Sequence, residues 1–430
     1  MLAIVGAGLS GAAVARELDG RGVEYLLLEA GPDLGTAHVG AAAETEGLAD
    51  PAADPSFRPF DGSPGSPYGP LAGYRARVGG RGLYWRGICL RIEERALADW
   101  PEPVRRALEE RWYPEVEEEL ARWSGGALAA PRSADEERLL AEVEKAGHRA
   151  VPTPRAVRFG EGGRWSAYAP VGAVDPARIR ADSRVSRIAA RPGGGFLLDL
   201  PGERLAADGV VLAAGLFENA RLVDGLLGRR GELRIVDHVA SGFVAVRPGV
   251  EHGPRDASVY AGFHPAASSN LFVESLPAEG GTLLDAWAMG EQVPEAAGVL
   301  AEGRVSLDGP ARVLLDAVTG GQRELLARLA EGLGLGAVRG AGPGFDEALA
   351  RAAAEPGMAV GYLAGIGELD HESSGLALGG ALVDEAGALR AAPGVHVVGP
   401  CLFPRAGAAN PTLTSLALAR YVAGSVASRI

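Results

Sequence analysis

The stretch Gly6-Ala7-Gly8-Leu9-Ser10-Gly11 separates a short apolar run at residues 2–5 from a segment with apolar residues at helical spacing. A G-x-G-x-x-G turn between a buried strand and a helix is typical of dinucleotide-binding folds. The first glycine permits the tight turn, the second lets the backbone approach a pyrophosphate, and the third lets helix and strand pack closely. Free N–H groups at the helix N-terminus then face the phosphates. The stretch therefore predicts an α/β fold that begins with a nucleotide-binding unit.

A second apolar run, at residues 25–28, ends in Glu29, about 20 residues beyond the glycines, where a carboxylate binds ribose hydroxyls. The fingerprint alone fits both NAD and FAD. After Glu29-Ala30-Gly31, however, a loop rich in glycine and proline at residues 49–70 replaces a regular βαβ repeat, which favours FAD. A loop this long is either a functional lid or a disordered segment, and we expect no regular element in it.

Bulk properties exclude several classes of protein. The length of 430 residues allows two domains, and the net charge of −13 argues against a nucleic-acid partner. We expect no signal peptide, since an apolar strand is predicted from residue 2, and no run of about 18 apolar residues suggests a membrane span. Two cysteines, Cys89 and Cys401, cannot build a disulfide framework. We therefore expect a cytoplasmic protein with no membrane partner.

The middle of the chain carries further ligand signals and a change of pattern. Gly79-Gly80 beside Tyr84-Trp85 indicates either backbone held against a flat ligand or a turn with core aromatics. Ala214-Gly215, between a strand and a helix, predicts a second contact with the same nucleotide. Residues 242–289 form short apolar runs separated by Pro and Gly, which predicts an inserted antiparallel sheet beside a substrate pocket. Helices are predicted at residues 102–123, interrupted by Pro114, after a capping box at Ser133, and at 321–335.

The tail contains the residues expected to carry the chemistry. His371 precedes a buried strand at residues 395–398, and Asn410-Pro411-Thr412 is typical of a helix start, with Asn410 as the cap and Pro411 at the first helical position. The positive end of that helix would favour the negative charge that a reduced flavin carries.

Six motifs, in order along nearly the whole chain, resemble the glucose–methanol–choline (GMC) oxidoreductases, which are FAD-dependent alcohol oxidases and dehydrogenases. The similarity is greatest to the branch with pyranose oxidase and bacterial sugar dehydrogenases. The motifs are Gly6 to Gly11 with Glu29-Ala30-Gly31; Gly79-Gly80 with Trp85 and Gly87; Ala213-Ala214-Gly215 with Glu218-Asn219-Ala220-Arg221-Leu222; Asp237-His238; His371 with Gly375 and Gly379; and Phe403-Pro404 with Asn410-Pro411-Thr412-Leu413-Thr414.

The resemblance implies that His371 faces flavin N5 and accepts the alcohol proton, that Asn410 is its partner, and that His238 is structural. The chemistry agrees, because hydride leaves a carbinol carbon only if the hydroxyl proton reaches a positioned base. Neutral histidine suits that role at pH 7. We predict cofactor contacts at Gly6, Ala7, Gly8, Ser10, Gly11, Glu29, Ala30, Gly79, Gly80, Tyr84, Trp85, Val185, Ala214, Gly215, Gly399, Pro400, Asn410, Pro411 and Thr412.

Three departures from the resemblance matter. Tyr84 stands where some relatives tether FAD through a histidine, so we predict non-covalent FAD. Ser374 replaces a residue that is often glycine and is expected to alter the pocket floor. The chain is also shorter than most relatives, which predicts a trimmed substrate domain. We expect a Rossmann-like FAD-binding domain (residues 1–95, 155–240 and 356–430) with an inserted α+β substrate domain on an antiparallel sheet (residues 96–154 and 241–355).

The predicted reaction is oxidation of a sugar, glycoside or biosynthetic alcohol to an aldehyde or ketone, followed by reoxidation by oxygen or another acceptor. Three alternatives stay open: a lyase or isomerase that keeps FAD in a non-redox role, a flavoprotein that only binds, and an NAD-only dehydrogenase. The sequence does not decide the substrate, the acceptor or the oligomeric state.

Overall fold

The computed structural model describes residues 1–39, 53–60, 66–69, 72–340 and 344–428. Within them the strands are β1 (Leu2–Val5), β2 (Tyr25–Leu28), β3 (Phe57–Pro59), β4 (Gly73–Arg75), β5 (Val151–Pro152), β6 (Val157–Phe159), β7 (Trp165–Ala167), β8 (Ile179–Arg180), β9 (Arg187–Ala190), β10 (Phe196–Leu200), β11 (Glu203–Ala207), β12 (Gly209–Leu212), β13 (Leu233–Val236), β14 (His238–Pro248), β15 (Ala257–His264), β16 (Ser269–Ala278), β17 (Gly281–Glu291), β18 (Gly298–Ala301), β19 (Arg304–Ser306), β20 (Val360–Ala364), β21 (Ser373–Ser374), β22 (Ala388–Leu389) and β23 (Ala392–Val397). The α-helices are α1 (Leu9–Asp19), α2 (Glu94–Leu97), α3 (Glu102–Ala107), α4 (Tyr113–Ser124), α5 (Ala134–Lys145), α6 (Leu216–Leu227), α7 (Gly309–Gly332), α8 (Phe345–Ala354) and α9 (Thr412–Ala427).

The first sheet is mostly parallel and has the order β22-β23-β12-β1-β2-β8. Strand β1 lies inside it and pairs in parallel with β12 and with β2, and all four of its residues are buried. A strand covered on both faces needs such a continuous apolar run. Helix α1 follows β1 directly and packs against α9, so the two ends of the chain meet beside this sheet. The predicted α/β class is confirmed.

The second sheet is antiparallel and has the order β20-β14-β17-β16-β15-β5. All of its strands lie in sequence between β12 and β23 except β5, which precedes β12. Because side chains alternate along a strand, it has two different faces. One face, which includes Phe243, Leu271 and Ala286, packs in a core cluster with residues of α5 and α7. The other face, which includes Ala240 and Met289, packs against Ile88 and Leu90. An antiparallel sheet in this region was predicted.

Helix α7 and the segment around Pro114 differ from the sequence-based prediction. Helix α7 begins at Gly309, twelve residues before the predicted start, because the Asp308 carboxylate accepts the Ala311 N–H at 2.8 Å and caps it. The mid-helix pair Gly320-Gly321 hid this continuation, since glycine weakens a helix pattern. Pro114 does not interrupt its helix but lies in the first turn of α4, after a π-helical turn at Leu108–Trp112.

The loop predicted at residues 49–70 lies partly outside the described residues. Its described part contains β3, which pairs antiparallel with β4. The expectation of no regular element is therefore wrong at residues 57–59. The backbone of these residues forms strand hydrogen bonds with β4, which follows the loop in the sequence. No helix among the described residues is both long and apolar enough to cross a bilayer.

Candidate active site

The predicted site residues surround one cavity of about 1020 Å³ that both six-stranded sheets border. All but Ala7, Gly11 and Gly79 line it directly. The lining includes Gly6, Gly8, Ser10, Glu29, Ala30, Gly80, Tyr84, Trp85, Val185, Ala214, Gly215, His371, Gly399, Pro400, Asn410, Pro411 and Thr412. Segments far apart in the sequence thus meet around one space that is large enough for a dinucleotide and a small substrate.

The turn after β1 is shaped for close contact with a ligand. Gly6 has φ +105°, and a Cβ there would lie 2.5 Å from the Ala213 carbonyl oxygen. A Cβ on Gly11 would lie 2.0 Å from the Gly6 carbonyl oxygen, so helix α1 and the turn are in direct contact. Gly8 is different, because a Cβ there would meet no protein atom within 4 Å and would enter the cavity. The three glycines therefore match the three requirements of a pyrophosphate-binding turn.

Glu29 is buried at the edge of the same space. Its Oε2 accepts the Ala7 N–H and its Oε1 accepts the Gly31 N–H, both at 3.0 Å. Burial raises the pKa of Glu29 to about 7, although these backbone hydrogen bonds oppose the rise. Each oxygen keeps a second lone pair, so a ligand hydroxyl can still donate to this carboxylate. The residues at this end of the cavity fit the adenosine half of a dinucleotide.

The glycine pair after β4 lies against the nucleotide turn. The Gly79 N–H donates to the Ala7 carbonyl at 3.0 Å, and a Cβ on Gly80 would come within 3.3 Å of the Gly8 Cα. Gly80 and Trp85 line the cavity, while the Trp85 indole N–H donates to the Tyr168 carbonyl at 2.9 Å. The pair therefore braces the turn that faces the ligand.

Tyr84 lines the cavity, but its hydroxyl is engaged by protein groups. It donates to Asp54 Oδ2 at 2.6 Å and accepts from Arg77 Nη1 at 3.2 Å. The Arg75 guanidinium lies 4.6 Å from the centre of the Tyr84 ring. The side chain is held at this wall by polar contacts on the hydroxyl and by a cation on the ring.

His371 belongs to a chain of hydrogen bonds that determines which of its nitrogens carries a proton. His238 Nε2 lies 2.9 Å from the Gly407 carbonyl oxygen, and a carbonyl can only accept, so this nitrogen is the donor. Burial lowers the pKa of His238 to about 4, so its ring is neutral at pH 7 and its Nδ1 has the lone pair. His371 Nδ1, 2.8 Å away, must therefore donate to His238 Nδ1. His371 Nε2 is left unprotonated.

Removal from water lowers the pKa of His371 well below its usual value. The neighbouring His238 ring and the Arg81 guanidinium lower this pKa further. The ring is therefore neutral across the physiological pH range, and its unprotonated Nε2 is available as a base.

Arg81 binds the two residues that flank His371 in the chain. This guanidinium hydrogen-bonds Glu372 with two nitrogens and Asp370 with one, at 3.1 Å to Asp370 Oδ1. Asp370 has φ +59°, a backbone conformation that few non-glycine residues adopt, and the ion pairs hold it there. Asp237, buried beside His238, accepts the His238 and Gly367 N–H groups. Polar contacts thus hold the residues on either side of His371 in the chain and the backbone of its partner His238.

Asn410 differs from its predicted role as a helix cap. Helix α9 begins at Thr412 with Pro411 as the preceding residue and without a side-chain cap, so the assignments of Asn410 as cap and Pro411 as first helical residue are wrong. Asn410 Nδ2 lies instead 3.4 Å from His371 Nε2. Its Oδ1 is buried and has no hydrogen-bond partner among the described residues. A buried orphan acceptor on a cavity wall indicates that a ligand donates there.

Ser374 lies outside the cavity lining, contrary to the expected change in the pocket floor. Ser374 belongs to β21 and pairs with Ile235 of β13. Its φ is +71°, so a glycine at this position would relieve backbone strain.

Residue patterns in the sequence do not identify His238 or Arg81 as neighbours of His371. The one signal in the sequence is the Asp237-His238 motif, to whose histidine the resemblance assigns a structural role.

Comparisons with known proteins indicate the family and the fold of the chain. A family model described as FAD dependent oxidoreductase matches residues 1–291. Among solved structures, the chain resembles pyridoxine 4-oxidase from Mesorbium loti, with a TM-score of 0.64 over 99% of this chain and 98% of that chain at 18% identity. At that identity the likeness shows a shared fold. No curated protein matches the sequence.

Proposed function

The chain belongs to the FAD dependent oxidoreductase family, and from that premise we propose that it oxidises the carbinol group of a small alcohol or sugar to an aldehyde or ketone. The observation that carries this proposal is the unprotonated Nε2 of His371, which faces the cavity beside the orphan Oδ1 of Asn410. The chain would be a short GMC-type enzyme, as the motifs at both of its ends suggest. Its FAD-binding domain would comprise residues 1–95, 155–240 and 356–430, and its substrate domain residues 96–154 and 241–355.

The cavity residues divide naturally between the parts of FAD. Gly6, Gly8 and Ser10 would hold the pyrophosphate and Glu29 the ribose, while Pro411 and Thr412 at the N-terminus of α9 would hold the flavin. When bound, FAD supplies an acceptor for the carbinol hydride at flavin N5. The Tyr84 hydroxyl is occupied by Asp54 and Arg77, which supports non-covalent binding.

In the proposed reaction His371 Nε2 accepts the proton of the substrate hydroxyl. Proton removal leaves negative charge on the substrate oxygen and lets the carbinol carbon release its hydrogen with the bonding electron pair. Asn410 Nδ2 lies 3.4 Å from His371 Nε2, so a substrate hydroxyl on the cavity side of the two atoms could contact both and accept from Nδ2. Both contacts would orient the substrate before the proton moves.

Oxidation is tested by the visible spectrum of the purified holoenzyme under anaerobic conditions, before and after addition of a panel of sugars and alcohols. We expect at least one of them to bleach the oxidised-flavin absorbance and to yield the matching aldehyde or ketone. A flavin spectrum that no alcohol reduces, together with elimination or isomerisation of a substrate, would favour the non-redox lyase or isomerase instead.

His238 is proposed as a positioning residue that keeps the proton on Nδ1 of His371. We expect His238→Leu to slow flavin reduction about 10- to 100-fold, because the Nδ1–H loses its acceptor and the other tautomer becomes accessible. His238→Gln offers both a donor and an acceptor, so it should restore part of the rate. The direct readout is ¹⁵N NMR of histidine-labelled holoenzyme, which is tractable because the chain has seven histidines.

In the wild type we expect the resonances of His371, assigned with His371→Gln, to show a protonated Nδ1 and an unprotonated Nε2. A purely structural role for His238 would leave this pattern intact in His238→Leu. Unchanged tautomer and unchanged reduction rate in that variant would disprove the proposed positioning role.

A further inference from the structure

The wall of the cavity formed by the antiparallel sheet carries two facing carboxylates. Glu274 of β16 and Asp285 of β17 are paired directly across the two strands, and both are buried. Like charges in directly opposite positions repel each other unless each has a partner. The partners of these two residues therefore show what this end of the cavity can accept.

Glu274 is fully engaged by the protein. Its Oε1 accepts the Ser258 hydroxyl at 2.9 Å, and its Oε2 forms an ion pair with the Arg86 guanidinium. Asp285 is not. Its Oδ1 accepts the Tyr362 hydroxyl at 2.8 Å, whereas its Oδ2 accepts no hydrogen bond from any residue that the structure describes. Asp285 is 5% exposed and lines the cavity. One oxygen of this carboxylate is thus left without a donor from the described residues, at the wall of the ligand space.

The local structure keeps Asp285 in this orientation. A Cβ on Gly242 would lie 2.2 Å from Cζ of the Tyr362 ring, so only glycine at this position leaves room for the ring that delivers the hydroxyl to Asp285. Burial, followed by the neighbouring charge of Glu274, raises the pKa of Asp285 to about 7, although the Arg86 guanidinium and the Tyr362 hydroxyl oppose the rise. Part of the population is therefore ionised at neutral pH, and a donor from a ligand would favour that form.

Asp285 lies in the same cavity as His371 but away from the reacting groups. Asp285, Trp287 and Met289 alternate along β17 and all three line the cavity. Met289 pairs with Ala240, two residues beyond His238, so it marks the end nearer to the histidines. Asp285 and Met289 are four residue steps apart along the strand, a distance of about 14 Å. Side chains that extend from both ends shorten the gap that a substrate must bridge.

We propose that Asp285 is the second recognition point of the substrate. The substrate would be an alcohol whose end remote from the reacting carbinol carries a hydrogen-bond donor, either an ammonium or a hydroxyl group, that Asp285 Oδ2 accepts. This inference rests on the proposed alcohol oxidation, because it takes His371 and Asn410 as the other end of the site. A remote carboxylate on the substrate would bind less tightly than such a donor, because it would face the carboxylate of Asp285.

The test measures binding to the wild-type holoenzyme under anaerobic conditions by the perturbation of the flavin absorbance. The probes are benzyl alcohols with a para aminomethyl, hydroxymethyl, methyl or carboxylate group, and a second series with two rings to cover the length of the cavity. We expect the donor-bearing members of one series to bind about 10- to 100-fold more tightly than the methyl and carboxylate members. Preference for aminomethyl over hydroxymethyl indicates a cationic substrate, and equal binding indicates a neutral one.

In Asp285→Asn, the amide oxygen can still accept from Tyr362 and the amide nitrogen faces the cavity as a donor. The preference for donor-bearing probes should therefore disappear, and the carboxylate member should gain affinity. The matched control is Glu142→Gln, which makes the same chemical change in the ion pair with Arg247 on the other face of the sheet and should leave the ranking intact. FAD content verifies the folding of both variants.

The proposal fails if the methyl or carboxylate members bind as tightly as the donors, if neither series binds, or if Asp285→Asn keeps the wild-type ranking. If Asp285→Asn does not fold, the wild-type ranking decides alone. Failure of the proposed oxidation is recognised separately, because a probe could bind with the expected ranking and leave the flavin oxidised. Reduction of the flavin without the expected affinity ranking of the probes would support the proposed oxidation and reject the role of Asp285.

Discussion

His371→Ala is expected to slow flavin reduction by the best alcohol substrate about 100- to 10,000-fold, which is the usual contribution of a positioned general base. The physical reason is that the hydroxyl proton has no other base at this point, since the Asn410 amide is too weakly basic to take up a proton and His238 Nδ1 lies behind the His371 ring. FAD content should stay at the wild-type level, because His371 is not needed for the nucleotide half of the cavity. Anaerobic stopped-flow absorbance measures the rate.

The same base predicts the pH dependence. A base acts only when it is unprotonated, and the pKa of His371 is lowered from 6.5 by removal from water and by its neighbours. Activity that depends on His371 is therefore fully present above pH 6.5, and it is lost only as the pH falls through the lower pKa of the folded protein. We expect the reduction rate to change little between pH 8 and pH 6.5 and to fall well below that range.

His148→Ala is the matched control, because it removes a half-buried histidine that contacts His264 and does not line the cavity. It should leave both the rate and the pH profile unchanged. A His371→Ala enzyme that reduces its flavin at the wild-type rate would exclude His371 as the base. An acid limb centred at pH 6.5 or above would show that the ring is less shielded from water than its surroundings indicate.

The nucleotide half of the site could be predicted because its requirements are local. The turn at Gly6 to Gly11 and the carboxylate of Glu29 stand within one strand-helix-strand unit, so spacing along the chain defines their geometry. His371 and His238 are 133 residues apart in the sequence. The direction of the hydrogen bond between them depends on the Gly407 carbonyl, which lies in a third segment. No spacing rule connects these three groups.

Asn410 shows how a local rule can mislead. Asn followed by Pro is a sound signal for a helix start, yet the side chain turns to His371 instead of the free N–H groups of α9. A polar side chain has few hydrogen bonds to give, and a partner brought close by the fold competes with the cap. Asp285 gives no signal for a related reason, because in the sequence it is one polar residue inside a strand.

Gly8→Ala is expected to weaken FAD binding about 100-fold or more while leaving the FAD-free protein as stable as the wild type. The backbone at Gly8 is extended, with φ −74°, so alanine fits without strain, and its Cβ meets no protein atom within 4 Å. The methyl group would instead occupy the space of the pyrophosphate. Losing two charge-assisted hydrogen bonds from backbone N–H groups costs about 3 kcal/mol, which corresponds to about a factor of 100.

Gly11→Ala, three residues further along the chain, is expected to destabilise the FAD-free protein. Its Cβ would lie 2.0 Å from the Gly6 carbonyl oxygen, so the FAD-free protein itself should lose about 3 kcal/mol or more of stability. Gly20→Ala at the far end of α1 has room, with the nearest atom at 3.6 Å, and serves as the control. Melting temperatures with and without added FAD separate the two effects, because only a binding defect abolishes the shift caused by FAD. If Gly8→Ala kept the full shift, the pyrophosphate could not approach Gly8, and the cofactor would have to enter the cavity in another orientation.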